Sequence, residues 1–146
     1  MLVTAALVTA LSGAAAQTPP TPPPPLPLVP TIVVFSWERD APPVTFTSFA
    51  LKNVGEGSTV VVRCLTASGD RCKGKLRKAF RAEDASGTVE VRRFVGKRIR
   101  PGRRLEARIS HPGRKTLYKT VAIRRSGPPA ISTECRAPGE AERGPC

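Results

Sequence analysis

One short stretch of the chain, residues 57–72, constrains the fold most because it joins a β-strand pattern to two cysteines. Val60 and Val62 fall on one face of an extended chain and Val61 on the other, which is the side-chain period of a strand. Adjacent valines also disfavour a helix, because branching at Cβ restricts χ1. Turn residues at 68–70 then return the chain towards Cys72. This pattern predicts a β-hairpin in which Cys72 lies beside Cys64.

The rest of the chain repeats this short strand-and-turn pattern. Further strands are predicted at 31–36, 44–51, 88–92, 105–109 and 117–124. Turns are predicted at 53–57, 83–87, 99–102, 111–113 and 126–129. Residues 73–81 fit either a helix or a strand, and we expect a strand because every neighbouring element is β. About seven short strands within residues 31–126 predict an all-β fold, a single small immunoglobulin-like β-sandwich.

The first thirty residues indicate export and a spacer. Residues 1–16 combine an apolar run with Ala14-Ala15-Ala16, which predicts a cleaved signal peptide rather than a disordered Ala-rich tail. Residues 17–30 hold eight of the sixteen prolines and are expected to form a semi-rigid linker, with a proline-docking ligand as the alternative. No second apolar stretch follows, so no transmembrane segment is expected after signal removal. The predicted localisation is secreted or cell-envelope associated.

The four cysteines are expected to form disulfides. Proximity in the sequence favours Cys64 with Cys72, and Cys135 with Cys146, the second pair closing a Pro/Gly-rich tail at 127–146. A zinc site is the competing interpretation, but neither spacing matches the short cysteine knuckles of zinc ribbons. An oxidising compartment also favours disulfides.

Positive charge dominates the second half of the chain. Between Arg71 and Arg125 there are nineteen Lys or Arg and four Asp or Glu residues. Such a field favours anionic partners, although a GC-rich genome would also encode many arginines on solvated faces. The candidate anion-binding residues lie on predicted basic strands and near the turn between them: Lys73, Lys75, Arg77, Arg98, Arg100, Arg103 and Arg104.

Residues that could carry catalysis are sparse. His111 is the only histidine, and its His-Pro-Gly context indicates a turn residue rather than a general base. Glu83 and Asp84 are adjacent, so their carboxylates should diverge on a solvated turn. No phosphate-binding glycine motif or nucleophile elbow is present. The sequence therefore predicts no enzyme activity, no catalytic residues, no cofactor and no metal.

Nucleic acid is an unlikely partner on this sequence. Binding would require exposed aromatic side chains for base stacking next to the basic residues. Only Trp37 and Tyr118 are placed so that they could face solvent, and Trp37 is better suited to fill a small core.

Several segments resemble a secreted β-domain found in exported proteins of high-GC Gram-positive bacteria. The likeness spans roughly residues 55–146 and is carried by the strand ending at Cys64, the segment 96–113, the strand at 120–125 and the cysteine tail starting at Cys135. The resemblance implies an exported domain that follows a Pro-rich spacer and has no catalytic motif.

These observations lead to a first functional hypothesis, a non-enzymatic exported module at the cell envelope. Its basic strands would contact an anionic wall polymer or a membrane surface. The alternative is a protein-binding domain, such as an assembly factor or an inhibitor, that uses an edge strand or the Trp37 loop. Nucleic-acid binding is the second alternative.

Overall fold

The computed structural model describes residues 16–21, 30–39 and 43–146. Within these ranges the chain is all-β, as predicted, and contains no α-helix. The strands are β1 (Ile32–Arg39), β2 (Val44–Leu65), β3 (Phe80–Glu90), β4 (Arg98–Ile99), β5 (Arg104–Ser110), β6 (Thr116–Ala122) and β7 (Ala130–Arg136). Most of the predicted signal peptide and linker lies outside the described residues.

The seven strands form one antiparallel sheet that curls into a half-barrel. Strand β2 organises it, because β1, β3, β4 and β5 all pair with β2. Strands β6 and β7 follow β5 in order. All strands thus belong to a single sheet, and the two-sheet immunoglobulin-like sandwich is not confirmed.

Two predicted turns, at 53–57 and 83–87, are instead bends inside paired strands. Asn53 and Gly57 in β2 have positive φ angles, and so do Asp84 and Gly87 in β3. The β2–β3 register shifts repeatedly here, and Val54 faces Gly87. Irregular residues of this kind act as β-bulges, which bend a strand without ending its pairing. The turn-type residues therefore curve the sheet, and do not reverse the chain.

Three further strand predictions differ from the structure. Residues 73–79 are not a strand: Gly74–Leu76 forms a 3₁₀ turn that buries Leu76, and β3 begins only at Phe80. β1 continues through Trp37, which the sequence had placed in a connection. β7 lies beyond residue 126, where the sheet was expected to end. β7 has the sequence AISTECR, in which polar residues predominate and Ile131 is exposed. The strand therefore lacks the apolar alternation by which the others were predicted.

The core lies on the concave face of the sheet. Val60, Val62 and Cys64 of β2 point into it, and Val60 and Val62 share one face, as the alternation predicted. Ile109 and Val121 of β5 and β6 complete the same face. The aromatic centre consists of Phe35, Phe46 and Phe49, whose ring centroids lie 5.4–6.2 Å apart. Trp37 packs against this core. Burial of these side chains is the main stabilising contribution.

Both predicted disulfides are present, Cys64–Cys72 and Cys135–Cys146. Cys64 and Cys72 are buried, and the Cys72 amide donates to the Cys64 carbonyl at 3.0 Å, which closes the predicted hairpin. Two disulfides indicate an oxidising environment. In the part of the chain that the structure describes, no helix has the length and apolarity to cross a bilayer.

Candidate functional site

Three of the predicted anion-binding residues line one shallow cavity of about 670 Å³, here called the arginine cavity. Its lining residues are Pro43, Arg98, Arg100, Pro101 and Arg103. Ile99 is fully buried, so its neighbours Arg98 and Arg100 project outwards on either side. The predicted Pro-Gly turn then brings Arg103 back, with the Arg103 amide donating to the Arg100 carbonyl at 3.2 Å.

The other four predicted cations do not line this cavity. Arg104 begins β5 and approaches Gly69 in the hairpin turn. Lys73, Lys75 and Arg77 are exposed around the 3₁₀ turn. The strand face expected for these three residues is therefore wrong, because the positive φ of Gly74 turns the chain there.

The seven predicted cations share one electrostatic property. Within residues 43–146, none of them forms an ion pair with a carboxylate, whereas Arg81 pairs with Glu83 at 2.7 Å and Arg92 pairs with Glu90 at 2.8 Å. Among residues 16–21, 30–39 and 43–146, no Asp or Glu side chain lines the arginine cavity. The described lining of the cavity therefore presents positive charge to solvent.

A buried charge cluster occupies the convex face of the sheet. Glu106 of β5 is almost fully buried, and its register partner on β2 is Arg63. Arg63 donates to Glu106 Oε1 at 2.8 Å, and Arg143 donates to Oε2 at 2.7 Å. Burial alone would raise the pKa of Glu106, but the hydrogen bonds from Arg143 and Arg63 outweigh it and lower the pKa. Glu106 is therefore a structural anion.

The C-terminal tail packs across this convex face. Cys135 and Gly144 exchange two backbone hydrogen bonds of 2.8 Å, and the Cys135–Cys146 disulfide closes the same loop. Arg143 stacks on Tyr118, 3.6 Å from the ring centroid. Tyr118, expected to be able to face solvent, is in fact 2% exposed because the tail covers it.

A second cavity of about 890 Å³ lies on the concave face at the β6–β7 end of the sheet, here called the Lys119 cleft. Its lining residues are Pro30, Thr31, Asn53, Val54, Gly55, Ser58, Ile109, His111, Arg114, Lys115, Leu117, Lys119, Thr133, Cys135 and Cys146. Lys119 Nζ donates to Thr133 Oγ1 at 2.8 Å. Burial lowers the pKa of Lys119, because the ammonium loses water without gaining a carboxylate partner.

His111 lies in the β5–β6 turn, as predicted, and its Nδ1 is 2.9 Å from the Pro112 carbonyl oxygen. It also lines the Lys119 cleft. The described residues contain no group of three or more His, Cys, Asp or Glu side chains that could hold a metal ion.

Neither the Glu106 cluster nor the Lys119 cleft was predicted from the sequence. Glu106 alternates with inward residues, so the pattern predicts a solvated position, and only the placement of the C-terminal tail above it shows that it is buried. For Lys119 a signal was present, because it shares a strand face with Leu117, Val121 and Ile123. A lysine on such a face indicates a partly solvated edge of the core.

Comparisons with known proteins add nothing to these observations. No protein-family model, no curated protein and no solved structure matches the chain.

Proposed function

We propose that this protein is a non-enzymatic module exported to the cell envelope, where the arginine cavity contacts an anionic wall polymer. One observation carries the proposal: Arg98, Arg100 and Arg103 converge on a single cavity whose described lining contains no acidic side chain. Phosphate or carboxylate groups repeated along a polymer match guanidinium groups in charge and in hydrogen-bond geometry.

Export is part of the same proposal. It is supported by the two disulfides, by the apolar run at residues 1–16 and by the resemblance to secreted β-domains. An immunoglobulin-like relationship of the sheet also remains a prediction, which the all-β architecture permits.

Each exposed ion contact should contribute little, about 0–1 kcal/mol, so affinity would depend on the number of contacts. Binding should therefore weaken steeply between low and physiological salt. This salt dependence distinguishes the proposal from an apolar protein–protein contact.

The test is co-sedimentation of the oxidised protein with purified cell walls over a salt series. The variant R98Q/R100Q/R103Q is compared with K52Q/R81Q/R92Q, which carries the same net charge but leaves the arginine cavity intact. We expect the first variant to lose most of the salt-sensitive binding and the second to retain it. Equal losses in both variants would mean that net charge alone drives binding. That result would refute the arginine cavity as a specific binding site. Anionic vesicles in a parallel series test the membrane surface.

A protein-binding function is the second candidate, and the β1 edge favours it. β1 lies at one end of the sheet order, and its Ile32 and Val34 side chains are 44% and 39% exposed. Exposed apolar residues on an edge strand can pair with another chain. Replacing both with lysine should abolish such binding, which would otherwise tolerate salt. Nucleic-acid binding has less support, because Tyr118 is buried and Trp37 packs against the core.

A further inference from the structure

We propose that the Lys119 cleft binds a small amphiphile, an apolar chain that ends in a carboxylate or a phosphate group. The inference is independent of the arginine cavity. Arg103 lines the arginine cavity and Ile109 lines the Lys119 cleft, so the two cavities lie six residues apart along β5. At about 3.3 Å per residue this corresponds to roughly 20 Å.

The first argument is the position of Lys119 itself. Its register partners are Ala107, which is buried in the core, and Thr133 on β7. The ammonium thus projects from the concave, core-forming face of the sheet. Its one hydrogen bond with the described residues is to Thr133 Oγ1, although an ammonium group has three donors. Among the described residues no carboxylate pairs with it, so an anion entering the cleft would find an available partner.

The second argument is the charge of the lining. Arg114, Lys115 and His111 line the cleft together with Lys119. In the part of the chain that the structure describes, no Asp or Glu side chain belongs to the lining. The charged side chains of the described lining are therefore all basic, and basic side chains that surround a cleft attract anions into it. A carboxylate or phosphate is the complementary group.

The third argument is the apolar part of the lining. Val54, Ile109 and Leu117 line the cleft, and so does the Cys135–Cys146 disulfide through both of its residues. These groups would offer an apolar chain a surface beside the charged group. The cleft volume of about 890 Å³ lies within the range of small-molecule sites, roughly 300–1,000 Å³. Cations next to apolar walls select an amphiphile over a fully polar anion.

Titration calorimetry of the full oxidised chain provides the binding test. The probes are decanoate and decyl phosphate, which differ in headgroup, with decanol as the neutral control and acetate and inorganic phosphate as the chainless controls. We expect one molecule of an anionic amphiphile to bind per chain, with a negative heat-capacity change from apolar burial. If only one of the two binds, that result identifies the headgroup and supports the proposal.

Two variants locate the binding in the cleft. In K119M the side chain keeps its apolar stem and loses its charge, and K78M makes the same change at an exposed lysine outside the cleft. Loss of a charge-assisted hydrogen bond should weaken binding about tenfold or more in K119M only. Gly55 has an ordinary φ, and a Cβ there would lie 3.6 Å from Ser58 Oγ and 3.9 Å from the Arg114 guanidinium. A Cβ is therefore accommodated at this position, and the larger side chain of G55V should narrow the cleft.

Several results would overturn the proposal. These are no binding of either anionic amphiphile, equal binding of decanol, equal binding of the chainless anions, or unchanged affinity in both K119M and G55V. Thermal unfolding of each variant is recorded alongside, so that a variant that fails to fold is replaced by the other.

Discussion

The Arg143 guanidinium lies 3.6 Å from the centroid of the Tyr118 ring while also donating to Glu106 Oε2 at 2.7 Å. One side chain of the C-terminal tail thereby contacts both β6 and β5. These two contacts of Arg143 explain why a Pro/Gly-rich tail with little regular structure lies against the sheet. A planar guanidinium can stack on an aromatic face and form directed hydrogen bonds in its own plane.

We expect Arg143→Ala to release the tail and to lower the free energy of unfolding by about 2–3 kcal/mol, through loss of a cation–π contact and a charge-assisted hydrogen bond. Urea unfolding followed by circular dichroism measures the change. Glu142→Ala, at the exposed neighbouring position, is the matched control and should have little effect. An R143A protein as stable as the control would show that the disulfide and the Cys135–Gly144 backbone hydrogen bonds hold the tail without Arg143.

Removing the buried Glu106 carboxylate should destabilise the fold at least as much as R143A does. Glu106→Gln leaves the Arg63 guanidinium without its anion and leaves Arg143 only the longer ion pair with Glu134 at 3.7 Å. The two arginine side chains are 35% and 30% exposed. Breaking fully buried pairs costs about 3–5 kcal/mol, so we expect about 2–3 kcal/mol here, because water still reaches both arginines. Guanidinium-chloride unfolding at neutral pH measures this loss.

The same residue predicts a pH dependence. The hydrogen bonds of Arg143 and Arg63 hold the folded-state pKa of Glu106 below its ordinary value of 4.5. Between the folded-state pKa of Glu106 and pH 4.5, the unfolded chain binds more protons than the folded chain, so stability rises with pH. The contribution of Glu106 is complete above 4.5 and is lost as the pH falls through the lower, folded-state pKa. The stability difference between wild type and E106Q should therefore shrink as the pH falls. A difference that stays constant until the Glu106 carboxylate is fully protonated would contradict this account.

The two disulfides should differ in their effect on stability. Their cysteines are 8 and 11 residues apart, so loop-closure entropy predicts about 2.5 kcal/mol for each. Cys64 and Cys72 are also buried in the core, whereas Cys146 is exposed. We therefore expect C64A/C72A to be the more destabilising double variant, because it also leaves a cavity. Parallel urea titrations decide the order, and the reverse order would indicate that the tail contributes more than the hairpin.

The bend in the sheet offers a backbone test. Asp84 has a φ of 50° within β3, a conformation that β-branched residues strongly disfavour. Asp84→Val should lower the melting temperature through a loss of about 1–3 kcal/mol, while Asp84→Gly should be close to neutral. If valine were tolerated as well as glycine, the bend at Asp84 would not require the left-handed conformation.

The sequence by itself determined the local features of this protein. Alternation placed Val60 and Val62 on the same face of β2, and proximity identified the partner of each cysteine, because both depend on residues close together in the chain. The Pro-Gly turn before Arg103 was equally local. Local chemistry could not distinguish a chain reversal from a bulge at Asn53, because both use residues that accept a positive φ.

Only the tertiary structure decided which faces are covered. The strand pattern cannot tell that Arg143 folds back over Glu106, because side-chain alternation distinguishes two faces but not which of them another segment covers. Curling of the one sheet likewise placed Lys119 at the open end of the concave face, beside Thr133 of a strand that the sequence did not reveal. Burial of a charge depends on long-range packing, and that packing created the buried anion and the basic cleft.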